Sequence, residues 1–276
     1  MKTLAVIKTP AQNIEMNSIK AILLTFLLMI ITFPLFLGNE FIIQKIELTQ
    51  IKLDSYKTLS PLIILIISHL TIFYFFWKPK LDIKNALNLN NYKPSIYLYI
   101  PIIAIGILLL NKPFIDLTIH LNFLPNMDNL DSTNNNYKLT LVNGIYIIIM
   151  TPIFEELFFR RFLLEKLIKT NSNFKSLFVS SLCFSFVHFI TPYNIIPTFI
   201  AGLVLGLIYI KTRKIGYTIL LHILVNGIIN IVPISGVTYE SLFSDSQYSL
   251  TYWMFFIIGC VLTYIGLKKI TTANIV

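Results

Sequence analysis

The stretch TPIFEELFFRRFLLE at 151–165 sets Glu155, Glu156 and Arg160 in a run otherwise built of Ile, Leu and Phe. Two apolar runs downstream carry further polar groups: His188 ends FSFVH at 184–188, and His222 and Asn226 bracket HILVN at 222–226. A carboxylate can take a proton from water, an imidazole can hold or pass one, and a side-chain amide can donate to developing negative charge. Ionisable groups inside apolar spans are costly, usually face an interior or a wet cavity, and are functional hypotheses by default. His69 stands by itself in another apolar run and reads as a hydrogen-bonded core residue. His120 reads as a loop residue.

Helix geometry divides the charges. Glu155 and Glu156 lie about 100° apart and cannot point the same way. Arg160 follows Glu156 by four residues, the favourable order for an ion pair. Glu156 and Arg160 are therefore expected to pair and orient the helix, leaving Glu155 to face a cavity. Asn226 follows His222 by four, on the same helix face. Pro152 has no N–H for the carbonyl four residues before it and is expected to bend the helix one turn ahead of Glu155.

These groups need helices to hold them. Of 276 residues, 55% are hydrophobic and 13% charged, against about 45–50% and about 25% in soluble domains. The fold class expected is therefore an all-α polytopic membrane protein. A helix crossing the hydrocarbon core needs about 20 apolar residues, and eight candidate transmembrane helices follow: 21–38, 60–77, 94–111, 139–159, 175–191, 195–211, 215–233 and 248–267. The first 20 residues lack a signal-peptide h-region, so the first span is expected to stay uncleaved. With both termini cytoplasmic, all of the 22 Lys and Arg residues fall on inside segments except Lys45, Lys52, Lys57, Lys112 and Lys138, as the positive-inside rule requires. The net charge of +9 is explained by that rule, and no nucleic-acid partner is expected. Under this topology Glu155, His188, His222 and Asn226 lie at overlapping depths, about 8–20 Å below the cytoplasmic surface at 1.5 Å per residue. Cys183 and Cys260, both in apolar runs, make no disulfide framework. Gly202 and Gly206 form a Gly-x-x-x-Gly pair that permits close helix packing. The loop 112–138 is long and polar and reads as an outside loop. Three regions result: 1–139 with three spans and that loop, a core at 140–233 with the polar groups, and 234–276 with a loop and the last span.

EELFFR (155–160), FSFVH (184–188) and HILVN (222–226) fit Glu-Glu-x-x-x-Arg, Phe-x-x-x-His and His-x-x-x-Asn. In that order, on successive apolar runs, they resemble the CAAX protease and bacteriocin-processing family of intramembrane proteases, also called the Abi family. The resemblance covers about 140–233. Arg161 departs from it, since the family often has glycine after the motif arginine; Arg161 can reach the headgroup region as a cytoplasmic anchor.

The resemblance implies an intramembrane endopeptidase acting on a membrane-associated protein or peptide. It implies Glu155 as the general base for water, His188 as a holder of that water, and His222 and Asn226 as donors to the oxyanion. Glu156 and Arg160 would hold this set in place. The family has been described in both glutamate-dependent and metal-dependent terms. Glu155, His188 and His222 form a zinc set by residue type, although the His-Glu-x-x-His spacing is absent; a cofactor-free glutamate mechanism is favoured and Zn2+ is the alternative. Two other classes stay open: a proton-coupled transporter, because intramembrane acids and histidines also build proton relays, and a non-catalytic membrane partner or scaffold. The abundance of Ile, Asn and Lys suggests an AT-rich bacterial genome; for a bacterial chain the resemblance implies a place in the cytoplasmic membrane among its lipids and roles in peptide maturation or bacteriocin immunity.

Overall fold

The computed structural model describes residues 15–45, 50–72, 74, 94–120, 144–189, 192–232 and 248–272, and these contain helices and no strand. In chain order they are α1 (Ser18–Lys45), α2 (Gln50–Ile72), α3 (Pro94–His120), α4 (145–167), α5 (Asn173–Phe186), α6 (Ile195–Thr212), α7 (Ile215–Ile231) and α8 (Leu250–Thr272). A 3-10 turn, Pro192–Asn194, leads into α6. Helix α4 is continuous but changes register. It is π-helical over Ile145–Met150, α-helical over Thr151–Glu156, π-helical over Leu157–Leu164 and α-helical over Glu165–Leu167.

Among the described residues four helices are long and apolar enough to cross a membrane: α1, α3, α6 and α8. The Leu59–Ile72 part of α2 and the whole of α7 are shorter apolar helices. The chain is thus multi-pass. Helices α4 and α5 fall outside these six for physical reasons. Helix α5 has 14 residues, about 21 Å at 1.5 Å per residue, against a core of about 30 Å. Helix α4 carries the motif charges and interrupts its own register.

Two expectations change at helix ends. The charge pattern puts Lys112 in the outside loop, but α3 continues to His120 and buries it. Its Nζ donates to Asp116 Oδ1 at 2.5 Å, and Tyr252 Oη of α8 donates to Asp116 Oδ2 at 2.7 Å. The pair neutralises itself along one helix face, which lets a lysine stay inside the bundle. The rest of that loop, 121–138, lies outside the described residues. The apolar pattern puts His188 within a span, but α5 ends at Phe186 and His188 sits in the turn that follows.

Among the described residues packing forms three apolar clusters, the smallest of them Leu164 of α4 with Tyr209 and Ile210 of α6 and Ile215 of α7. A second joins Leu24 and Leu28 of α1 and Ile72 of α2 to Phe158, Phe159 and Phe162 of α4 and Phe184 of α5. The third joins Ile100, Ile103 and Ile107 of α3 to Leu205 and Ile208 of α6, Leu221 of α7 and Ile270 of α8. Small residues allow backbones to approach where lipid offers no hydrophobic drive. A Cβ at Gly259 would stand 2.5 Å from Leu110 N and 2.8 Å from Gly106 O, and one at Gly106 would stand 2.8 Å from Thr263 N. Helices α3 and α8 therefore meet backbone to backbone. Gly202 faces Ser181 of α5 in the same way, as its spacing suggested.

Candidate active site

The site is assembled on Glu156. It is fully buried in α4, and its Oε1 lies 3.0 Å from Arg160 Nη1 and 3.0 Å from His222 Nδ1 of α7. The expected Glu156–Arg160 pair is present and His222 is a third member. A carboxylate only accepts, so Nδ1–H of His222 donates to Glu156, and this fixes the ring's orientation. The opposite nitrogen, Nε2, is then turned to Glu155, whose Oε2 stands 3.7 Å away. That gap is too long for a direct hydrogen bond. The two adjacent glutamates thus take opposite ends of one imidazole.

Arg160 is 1% exposed, and its guanidinium lies 4.3 Å from the centre of the Phe184 ring. A cation over an aromatic face is favourable, more so away from water. Phe184 also meets the rings of His188 at 5.1 Å and His222 at 5.8 Å. It is the hub through which α5 reaches the charged set. Phe184 begins the FSFVH motif, and the sequence reading gave it no role; the signal was its place one helical turn before His188.

His188 is brought to the same hub, and its ring is fixed by Nδ1, 2.9 Å from Phe184 O. A carbonyl accepts, so this nitrogen carries the hydrogen. Asn226 Nδ2 donates to Ile147 O of α4 at 3.0 Å, so part of its amide serves a backbone carbonyl. Among the described residues no group of three or more His, Cys, Asp or Glu side chains is placed to hold a metal ion. Glu155, His188 and His222 do not stand together as such a group in this arrangement.

His69 is buried in α2, with Nδ1 3.0 Å from Leu65 O. Its ring packs against Phe154 at 5.5 Å, just before the glutamate pair, and against Phe158 at 6.5 Å, two residues after it. The expected hydrogen-bonded core histidine thus backs the site.

Residues 137–228 match the family model described as type II CAAX prenyl endopeptidase Rce1-like. The matched segment holds Glu155, Glu156, Arg160, His188, His222 and Asn226, so the buried network of carboxylates, imidazole and guanidinium lies in a CAAX-protease-like domain. This supports a catalytic, protease-like site. No curated protein and no solved structure matches the chain significantly. Helices α1, α2, α3 and α8 lie outside the Rce1-like segment and pack around it.

Proposed function

We propose that the protein is an intramembrane endopeptidase that hydrolyses a peptide bond in a membrane-associated protein or peptide with water activated by Glu155. The observation that carries this reading is His222 standing between Glu155 and the buried Glu156–Arg160 pair. In the proposed reaction Glu155 takes a proton from water. The lone pair of His188 Nε2 accepts the water's other hydrogen and turns its oxygen to the scissile carbonyl. In this proposal His222 carries a hydrogen on both ring nitrogens: Nδ1–H stays on Glu156, and Nε2–H donates to the tetrahedral oxyanion as it forms. The Asn226 hydrogen not engaged by Ile147 is the second donor. Glu155 then returns its proton to the leaving amine. Glu156 and Arg160 hold His222 without touching substrate.

The proposed setting is a bacterial cytoplasmic membrane. All eight helices cross or enter the bilayer there, both termini are cytoplasmic, and the site opens near the inner surface. Peptide maturation and bacteriocin immunity are the roles that fit. The test compares the membrane peptidomes of wild type and a Glu155→Ala strain, followed by incubation of the differing peptide with purified protein in liposomes. Cleavage by wild type and none by Glu155→Ala is the expected result. An unchanged peptidome with an intact cellular phenotype would favour the scaffold, and proton flux without cleavage the transporter.

A further inference from the structure

The first π-helical stretch of α4 ends at a carbonyl that its own backbone cannot satisfy. In a π-helix each carbonyl accepts from the N–H five residues on. Thr151 N–H donates to Tyr146 O in that register. The next carbonyl is Ile147 O, and its partner five residues on would be Pro152, which has no N–H. The side-chain amide of Asn226 supplies the missing donor, with Nδ2 3.0 Å from Ile147 O. From Pro152 the chain continues as the α-helical stretch Thr151–Glu156 that carries both motif glutamates. One turn back along α7, His222 is bonded to Glu156. Two residues of α7 four apart thus grip α4 on both sides of Pro152.

We infer that Asn226 is a positioning residue for Glu155: its amide replaces the backbone donor removed by Pro152 and fixes the register change that aims the glutamate pair. In a low-dielectric interior an unsatisfied carbonyl is costly, so the helix is held in this register as long as the amide is present. The role in aiming Glu155 rests on the peptidase reading; the brace between Asn226 and Ile147 does not.

The two substitutions that test this are Asn226→Ala and Pro152→Ala, made singly and together in the full-length protein. Pro152→Ala restores a backbone N–H, so Ile147 O has a donor without Asn226. With Pro152 in place, Asn226→Ala is expected to lower the thermal midpoint in detergent by about 3–6 °C, the size of one buried hydrogen bond in a domain of this length. In the Pro152→Ala background the same change is expected to cost less than about 1 °C. Turnover of the peptide identified from wild-type membranes is read in parallel. The kcat loss from Asn226→Ala is expected to shrink at least about tenfold in the Pro152→Ala background, with KM unchanged, since misplacement of Glu155 affects the reacting atoms and not substrate capture.

Equal midpoint losses in both backgrounds would overturn the brace. Coupled midpoints with equal kcat losses would overturn the placement of Glu155 and leave Asn226 to act on the oxyanion directly. If wild type cleaves nothing, the peptidase reading fails, and the midpoints still decide the brace.

Discussion

Glu156→Gln removes one charge from a fully buried ion pair. Glu156 is 0% and Arg160 1% exposed, with 3.0 Å between their charged atoms. At that distance, with an effective dielectric constant of about 20, the attraction is about 5–6 kcal/mol. Glutamine keeps one accepting oxygen and restores a hydrogen bond to the guanidinium of about 1.5–3 kcal/mol. The expected loss is therefore about 3–4 kcal/mol, within the range of about 3–5 kcal/mol for leaving a buried charge unpaired. That is about 150- to 900-fold in the unfolding equilibrium, readable by titrating the purified protein from mild detergent into SDS micelles. Arg160→Met in the Glu156→Gln background removes the stranded cation and is expected to recover most of the loss. A Glu156→Gln protein within about 1 kcal/mol of wild type would refute the reasoning. So would a double variant whose loss equals the sum of the two single ones, because the pair would then not be an energetic unit.

Further outcomes follow from the same geometry. Glu155→Gln is expected to fold as wild type does, by detergent unfolding, and to lose at least about 10²-fold in kcat, the usual worth of a general base; retained cleavage would remove Glu155 from that role. Exhaustive chelation with metal analysis is expected to leave cleavage intact, and activity lost on chelation and restored by zinc would overturn the glutamate mechanism. Gly259→Ala puts a methyl group 2.5 Å from Leu110 N, so it is expected to cost about 1–3 kcal/mol by overpacking and to lower cross-linking between cysteines placed on α3 and α8.

The residues of the candidate site were legible in the sequence because they break a strong background. Glu155, Glu156, Arg160, His188, His222 and Asn226 stand out where neighbours are Ile, Leu and Phe, and the four-residue spacing of Glu156 and Arg160 gave their pairing. What was not legible depended on contacts between distant helices. Neither the bond of His222 to Glu156 nor the donation of Asn226 to Ile147 has a local signature, since each joins residues more than 60 positions apart. The π stretches of α4 were missed because apolar periodicity is read at 3.6 residues per turn. Pro152 reads in the sequence as a source of a bend, and the structure adds the register change and the amide that answers it. Charge alone places Lys112 in water; the helix buries it because Asp116 and Tyr252 compensate it. Gly106 and Gly259 are 153 positions apart and look ordinary until α3 and α8 are laid together.

The backbone contact between α3 and α8 also orders the making of the protein. A ribosome leaves α3 behind at His120 and does not begin α8 until Leu250. At about 5–20 residues per second the intervening stretch of roughly 130 residues takes about 6–26 s. During that interval the glycine face of α3 has no partner, while the helices that carry the charged network emerge and meet. Helix α8 therefore reaches α3 only after the helices that carry the site have been made. Until α8 is made, Gly106 and the Lys112–Asp116 pair lack the helix that covers them in the bundle.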